Sequence, residues 1–456
     1  MKFIKKFETH NPDYLNYMSS SDKILPNLSY CEDVGDVHLN PWVETKLVCK
    51  YNITDTTSAT TLRTENEPNI FKSMEIDGVL LDSLVTEYQF DTTGEHTVKY
   101  ELYDEAKVGN NTPLFNNITT LSNVSIPNSV TTIGTNAFLG CSGLTSITIG
   151  NNVTTIGNQG FYSCSGLTSV SIPDSVTTID TNAFNGCTGL TSVTIGNSVT
   201  TIGGWTFSGC HSLTSVTIPN SVTSIGNGAF SNCIGLTSVT IGNSVTTIGS
   251  NAFDACSLVN IEFNSPTFTN AFFVGTGNNT RVTIRSVILG NNVSTIDSHA
   301  FDGCSGLTSV TIGNGVTTIG NGAFYGCTGL TSVTIPDSVI TIGNNAFQNC
   351  TGLTSVTIPD SVTFIDGGVF YSCSGLTSVI IGNSVTQIGI QLFNGCSNLA
   401  SVTIRATNPP ALTWDNDMFI NSTNCPIYVP SESVAAYKTA SYWSVYSSRI
   451  QAIPTA

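Results

Sequence analysis

The sequence predicts a mainly β chain in which a long solenoid of stacked 23-residue coils follows a small β domain. Three observations carry that prediction. From Leu121 onward the 456-residue chain repeats itself at a fixed spacing of 23 residues, the mark of a stacked repeat array. Each repeat opens on an alternation of aliphatic and small polar residues, the period of a strand with one buried face. Charge is concentrated at one end: residues 1–116 hold 10 Lys+Arg and 19 Asp+Glu, whereas residues 117–456 hold only 5 and 12. Only 10% of the chain is charged, well under the usual quarter, so Thr, Ser, Asn and Gly must cover the surface.

The N-terminal end comes first. Met1–His10 has a basic start but no apolar stretch behind it, so no secretory leader is visible. No run of 18 apolar residues occurs anywhere, so no membrane span is expected. Residues 1–37 show no period. Residues 38–115 read as β-rich: Val43–Val48 is a strand candidate, and Tyr88–Leu102 reads as two strands about Gly94. Asn110–Pro113 is a junction candidate. The expected division is 1–37, a β domain at 38–115, a solenoid at 116–405 and a cap at 406–456.

In the repeat, Leu recurs at Leu121, Leu144, Leu167, Leu190, Leu213 and Leu236, and the register slips through Leu258 and Ile284. It resumes at Leu307, Leu330, Leu353, Leu376 and Leu399. These make twelve units, with Leu399 opening a thirteenth that turns into a cap. Within a unit, Leu144, Ile147 and Ile149 point one way while Ser146 and Thr148 point the other. Pro or Gly turns the chain, as at Pro127 and Gly150, and Val153 with Ile156 forms a second inward pair. The stretch ending Ala137-Phe138-Leu-Gly-Cys141 is a compact turn with Phe and Cys inward. One unit buries too little apolar area to offset its own ordering, so the coils must stack. Twelve coils about 4.8 Å apart give a rod or arc on the order of 60 Å long.

The pattern Leu-x-x-Val-x-Ile-Pro-x-Ser-Val-x-x-Ile-x-x-x-Ala-Phe-x-x-Cys resembles the BspA-like leucine-rich repeats. The ending, with Ile427-Tyr-Val-Pro430, Tyr437, Trp443, Tyr446 and Ile450, is similar to that family's C-terminal cap. The resemblance spans about residues 118–456. It implies a leucine-rich-repeat solenoid and surface proteins that bind host or matrix proteins, with no shared catalytic residues. Residues 38–115 resemble a bacterial immunoglobulin-like sandwich through one hairpin.

Fourteen Cys are present, and eleven share one repeat position: Cys141, Cys164, Cys187, Cys210, Cys233, Cys256, Cys304, Cys327, Cys350, Cys373 and Cys396. The second run has five members and cannot pair completely. A ladder of reduced, buried thiols is the expectation, since Cys packs as a small apolar residue. Paired short spacings of the kind zinc needs do not occur. Cys31 and Cys49 are either bridged or free.

Regularity fails between Leu258 and Ile284. Asn270–Phe272 keeps the Ala-Phe element, the loop Phe273–Thr280 is lengthened, and Arg281 stands where the ladder cysteine belongs. A protruding interruption of a regular scaffold is a candidate contact site. Phe273, Thr276, Asn278, Asn279 and Arg281 are therefore candidate binding residues, against the plainer reading of a tolerated insertion. Trp205, where other repeats carry Asn or Gly, is the sixth candidate. Trp414, Tyr437, Tyr442, Trp443 and Tyr446 are expected to cover the last coil's core.

Chemistry is not evident. His10, His38, His96, His211 and His299 show no metal-ligand spacing, and no nucleotide-binding or hydrolase motif occurs. Asp337 and Asp360 on adjacent coils form the carboxylate pair worth weighing, while Asp415 and Asp417 are loop residues near Trp414. All read more simply as turn or loop residues. The sparse basic residues argue against nucleic acid. Ser/Thr columns raise ice binding as a rival, but the columns are mixed. No cofactor and no metal are expected.

The expectation is thus a non-enzymatic adhesion or receptor-binding protein whose partner is a surface protein or glycan of a host cell. The missing leader favours a phage tail fibre or other virion component, with the N-terminal part docked to a larger assembly. A bacterial cell-surface adhesin and a purely structural stalk are the alternatives, and oligomerisation is left open.

Overall fold

The fold is that of a computed structural model, which describes residues 46–64, 70–103, 107–108, 114–268, 283–413, 417–422 and 424–454. It is mainly β, a solenoid of about 13 turns. A regular coil has two strands and a turn ribbon, although in the coil opening at Leu330 the first strand is reduced to a single bridge from Ser332 to Ser355. The first strand, such as Ser215–Ile218 or Ser238–Ile241, alternates exposed Ser/Thr with buried Val/Ile. The second is a Thr-Ile pair, such as Thr178–Ile179, whose Ile is buried. Stacked in parallel with one-coil register, these strands build two ladders along the axis.

The turn ribbon forms a third ladder. The N–H groups of Trp205, Phe207 and Gly209 donate to the carbonyls of Asn227, Ala229 and Ser231 on the next coil at 2.7–2.8 Å. Backbone polar groups are therefore satisfied both between coils and by turn bonds within them, such as Val222 N–H to the Pro219 carbonyl at 3.1 Å. Side chains extend the same logic. The hydroxyls of Thr177, Thr200, Thr223 and Thr246 each donate to the carbonyl of the equivalent residue one coil earlier, at 3.2–3.3 Å. Asn and Asp at the turn accept the next coil's N–H, as Asp174 Oδ1 does from Asn197 at 2.7 Å.

The core is equally periodic. Phe115, Phe138, Phe161, Phe184, Phe207, Phe230 and Phe253 stack in one run with centroids 5.1–5.4 Å apart and rings within 13° of parallel. Phe301, Phe324, Phe347, Phe370 and Phe393 form the second. The cysteine ladder runs beside them, unbridged and buried. Ten of the eleven ladder thiols donate to the Phe carbonyl of the preceding coil, as Cys187 does to Phe161 at 3.2 Å. Burial pushes the Cys141, Cys210 and Cys350 thiols up to about 12, so they are inert neutral donors. Cys49 is buried and unbridged too; Cys31 lies outside the described residues.

The N-terminal region is not sealed off from the solenoid. Strands β1 (Lys46–Ile53), β3 (Phe71–Ile76), β4 (Val79–Leu80) and β6 (Gly94–Leu102) form an antiparallel sheet in the order β1-β6-β3-β4. The short strands β2 (Thr60–Thr61) and β5 (Glu87–Tyr88) pair as a separate ribbon. At its other edge β1 pairs antiparallel with β8 (Leu121–Ser125), the first strand of the repeat, which then pairs in parallel with Ser146–Thr148. Strand β7 (Lys107–Val108) opens the Thr-Ile ladder by pairing with Thr132–Ile133. Val108 and Phe115 are thus already solenoid positions, and one apolar core runs from Leu47 to Ile450.

At the far end Ile427–Val429 and Ile450–Ala452 extend the first ladder beyond Ser401–Ile404. Helix α1 (Val434–Thr439) closes the last coil. Tyr437 donates to the Ala406 carbonyl at 2.8 Å and Trp443 Nε1 to the Pro410 carbonyl at 2.7 Å, both side chains fully enclosed. Tyr446 packs edge-on against Phe419, so the aromatic ladder ends inside the cap. Tyr442 remains 41% exposed, unlike the covering role expected of it, and Trp414 lies outside the described residues.

Candidate functional surface

The interruption splits one ladder and spares the other. Asn260–Phe263 pairs on both sides, with Ser238–Ile241 and Ser286–Leu289, so the first ladder passes through unbroken. The Thr-Ile ladder stops at Thr247–Ile248 and restarts at Thr267–Phe268. The candidate contacts Phe273, Thr276, Asn278, Asn279 and Arg281 lie outside the described residues, so only the flanks of that loop are placed.

Trp205 is placed, and its geometry is unusual. It occupies the turn-ribbon position filled elsewhere by Asn136, Gln159, Asn182, Gly228, Asn251, His299, Gly322, Asn345, Gly368 and Gln391, all with left-handed backbone. Asn and Gly accept such a backbone readily, whereas a bulky residue there is an outlier. Trp205 adopts it at φ 57°, at a cost of about 1–3 kcal/mol. Its neighbour Thr206 is fully buried, with its hydroxyl donating to the carbonyls of Gly203 at 2.7 Å and Asp180 at 3.1 Å. That anchors the ribbon while the indole stays 42% exposed.

Along this ribbon Gln159, Tyr162 and Ser165 are half-buried at three-residue spacing, as are their neighbours Asn158, Ser163 and Gly166. In Trp205's coil the set is Trp205, Ser208 and His211; in the next it is Gly228, Ser231 and Ile234. The third position is Ser or Thr in the other regular coils, yet here it is His211 and then Ile234, 53% exposed. Reading the sequence for Trp205 alone missed this. The three-residue spacing of the outward columns was the signal, and it emerges only once the ribbon's backbone is known.

Two shallow grooves lie on the flank of the first ladder, at equivalent repeat positions. One, of about 590 Å³, runs past Ile147, Ile149, Ile172 and Asp174. The other, of about 550 Å³, runs past Ile335, Ile358, Asp337, Asp360 and Arg405. Asp360 Oδ1 accepts the Asn383 N–H at 2.7 Å, the same turn role as Asp174. Asp337 and Asp360 thus share a groove, with Asp360 engaged in the turn ladder. Asp415 lies outside the described residues.

The charged chemistry sits at the N-terminal end. Glu75 bridges Lys46 and Lys99 at 3.2 and 3.0 Å, and Lys50 meets Glu95 at 2.8 Å. His96 Nδ1 lies 2.6 Å from Asp77 and its Nε2 2.9 Å from the Thr92 carbonyl. Burial alone would depress His96, but hydrogen bonds to Asp77 and Thr92 and the Asp77 charge outweigh it and hold the imidazole above its ordinary value. This is a structural clasp across a turn. Among the described residues no group of three His, Cys, Asp or Glu could hold a metal ion, and no helix is long and apolar enough to cross a membrane.

The family model for the BspA type leucine-rich repeat region, in six copies, matches residues 108–233, 154–280, 205–327 and 273–400. The chain belongs to the BspA-type leucine-rich-repeat family. Similar solved structures include a leucine-rich cell surface protein from Faecalibacterium prausnitzii, 31% identical over 69% of this chain and 90% of that one, with TM-score 0.33. A leucine-rich repeat protein from Bacteroides ovatus is 23% identical over 72% and 90%, with TM-score 0.38. The leucine-rich repeat protein of T. pallidum is 30% identical over 39% and 72%, with TM-score 0.28. No curated protein matches the chain. BspA-type repeat proteins are typically found at the cell surface or outside the cell. Their solenoid is typically a non-catalytic protein-binding scaffold.

Proposed function

We propose that this BspA-type chain is a non-enzymatic recognition protein displayed at an extracellular surface, binding a protein or glycan on a host cell. The observation that most supports this reading is the division of labour within each coil. Phe, Cys, Val, Ile and Thr positions satisfy the stack, and individuality is left to a few outward positions concentrated in particular coils, Trp205 foremost. Binding through such positions on a rigid scaffold needs no moving part and no cofactor. In this reading the loop bearing Phe273, Thr276, Asn278, Asn279 and Arg281 is a second contact region, and the N-terminal region docks the protein to its carrier.

The sameness of Ser146, Ser169, Ser192, Ser215 and Ser238 on the first ladder favours a further, compatible role for most coils as spacer. A stalk presents its distinctive coils at a distance from the carrier, whether the carrier is a bacterial surface or a virion.

The test is binding of the full-length protein to intact host cells and to arrays of matrix proteins and glycans. Saturable binding is expected, reduced by deletion of residues 273–280 without loss of folding. Absence of binding to any of these, with the protein recovered as a component of purified virions or envelopes, would leave only the stalk role.

A further inference from the structure

Residues 181–253 contain no Asp, Glu, Lys or Arg. Those three coils are the most electrically neutral stretch of a chain that carries net charge -16. In their midst sit the departures from the repeat described above. Three structural facts make them one site.

The first is the attitude of the Trp205 ring. A Cβ built on Gly228, one coil along, would lie 2.6–2.7 Å from Cε3, Cδ2 and Cζ3 of Trp205. Three atoms of the six-membered ring at one distance from one point mean that the ring lies flat across the Gly228 backbone. Gly228 is buried beneath it, and the exposed fraction of the indole is its outer face. Only glycine allows this, at a position whose φ of 60° already favours it. The strained Trp205 backbone and the empty Gly228 side-chain position thus cooperate to hold an aromatic plate level with the surface.

The second is the floor beside the plate. The middle outward position is half-buried Tyr162, Asn185 and Asp254 in the neighbouring coils, but here it is Ser208 and Ser231, both nearly enclosed. At this position the ribbon therefore carries no protruding side chain between the plate and the third column.

The third is the opposite wall. Asn232 Nδ2 and His211 Nε2 lie 3.2 Å apart, within hydrogen-bond reach. Ile234 stands beside them, exposed. The site thus has a flat aromatic plate, a strip without protruding side chains, and the hydrogen-bonding groups of His211 and Asn232 next to an aliphatic side chain.

We propose that this surface, Trp205–Ser208–His211 with Gly228–Ser231–Ile234, binds a neutral hexopyranose unit of a surface glycan. A pyranose presents one face of C–H groups and a rim of hydroxyls. The C–H face lies on the Trp205 plate, and the rim meets His211 and Asn232. An acidic or sulfated sugar finds no Lys or Arg in these coils to balance its charge. A peptide gains nothing from a flat plate facing a neutral rim that a single glycan unit does not use better. The inference rests on the recognition role proposed above and assigns a ligand class to one of its sites.

The test uses the full-length protein and saturation-transfer NMR with methyl glucopyranoside, methyl mannopyranoside and methyl galactopyranoside in turn. At least one is expected to receive saturation on contiguous ring C–H protons. Trp205→Ala should weaken that binding roughly tenfold, the worth of one aromatic contact. Ser208→Tyr should abolish it while leaving Trp205 intact, because it restores the bulk that Tyr162 shows the ribbon tolerates. Thermal melting of both variants checks that the fold survives. No transfer to any of the three glycosides, or transfer unchanged by both substitutions, overturns the sugar assignment. If the variants instead lose binding to a protein on the array, the site is a protein contact, the sugar assignment falls and the recognition role stands. If the wild-type protein binds neither cells nor arrays, the recognition role itself falls.

Discussion

The N-terminal sheet and the solenoid hold their strands together by different physics. The sheet is antiparallel, and its rim is tied by ion pairs among Lys46, Glu75, Lys99, Lys50, Glu95, Lys72 and Glu101. The solenoid is parallel and nearly free of charge. It is tied by ladders in which each Phe ring stacks on the next, while Thr hydroxyls, Cys thiols and Asn side chains bond the backbone of the neighbouring coil. The first arrangement lets residues differ from strand to strand. The second rewards sameness, because a stacked ladder needs the same group at the same height in every coil. The two meet at β1 and β8, where an antiparallel edge becomes the template for a parallel one.

If that contrast is right, alkali should strike the solenoid hardest. A thiol kept neutral by burial stabilises the fold fully below its ordinary value of 9.0. That contribution is lost as pH rises from there towards about 12, the value reached by Cys141, Cys210 and Cys350. Each such thiol removes roughly 1.4 kcal/mol per pH unit across that window. With a whole ladder of them, steep cooperative unfolding above pH 9 is expected by circular dichroism. Alkylation near neutral pH should label none of the ladder thiols until denaturant is added. A melting temperature that stays level into strong alkali would break the comparison.

A core substitution sharpens it. Phe184 stacks on Phe161 at 5.1 Å and on Phe207 at 5.4 Å, so Phe184→Ala leaves a cavity shared by three coils. A loss of about 3–5 kcal/mol is expected from chemical denaturation, with the coils on either side losing amide protection together. Loss confined to one coil would show that the stack is less coupled than its geometry suggests.

The smallest effect belongs to the sheet. His96 is held above its ordinary value, so its stabilisation is complete below about pH 6.5 and is lost as pH rises through the raised value. Asp77, whose own burial is outweighed by the His96 and Thr97 bonds, is held below its ordinary value. Its share is present above about pH 4 and lost in stronger acid. Asp77 is half exposed, so the total is at most about 1 kcal/mol. His96→Gln should flatten the gentle decline in stability between neutral and mildly alkaline pH. A variant that keeps that decline would assign it to other groups.

Much of this was legible in the sequence. The 23-residue period, the inward Leu, Val, Ile, Phe and Cys positions, the Pro/Gly turn and the family resemblance all follow from one-dimensional order, because each coil's burial pattern repeats in register. The cap was legible for the same reason: Tyr437 and Trp443 depart from the pattern where an open core has to be closed. Legibility ended where residues meet across coils. Trp205 drew notice as an odd residue, but its flat seat on Gly228, 23 residues away, did not. Nor did the kinship of His211 and Ile234 with it, since the turn ribbon's three-residue outward spacing depends on left-handed backbone at Trp205 and Gly209 that no periodicity reports.

The N-terminal junction makes the same point. The sequence by itself determined that a charged, β-rich segment precedes a neutral repeat, because composition and period change near residue 116. Only the tertiary structure decided that β1 pairs with β8 and β7 with the first Thr-Ile strand, so that the two parts share one core. Strand pairing is a matter of which edges lie open in space, and an open edge is not a property of any residue in the chain.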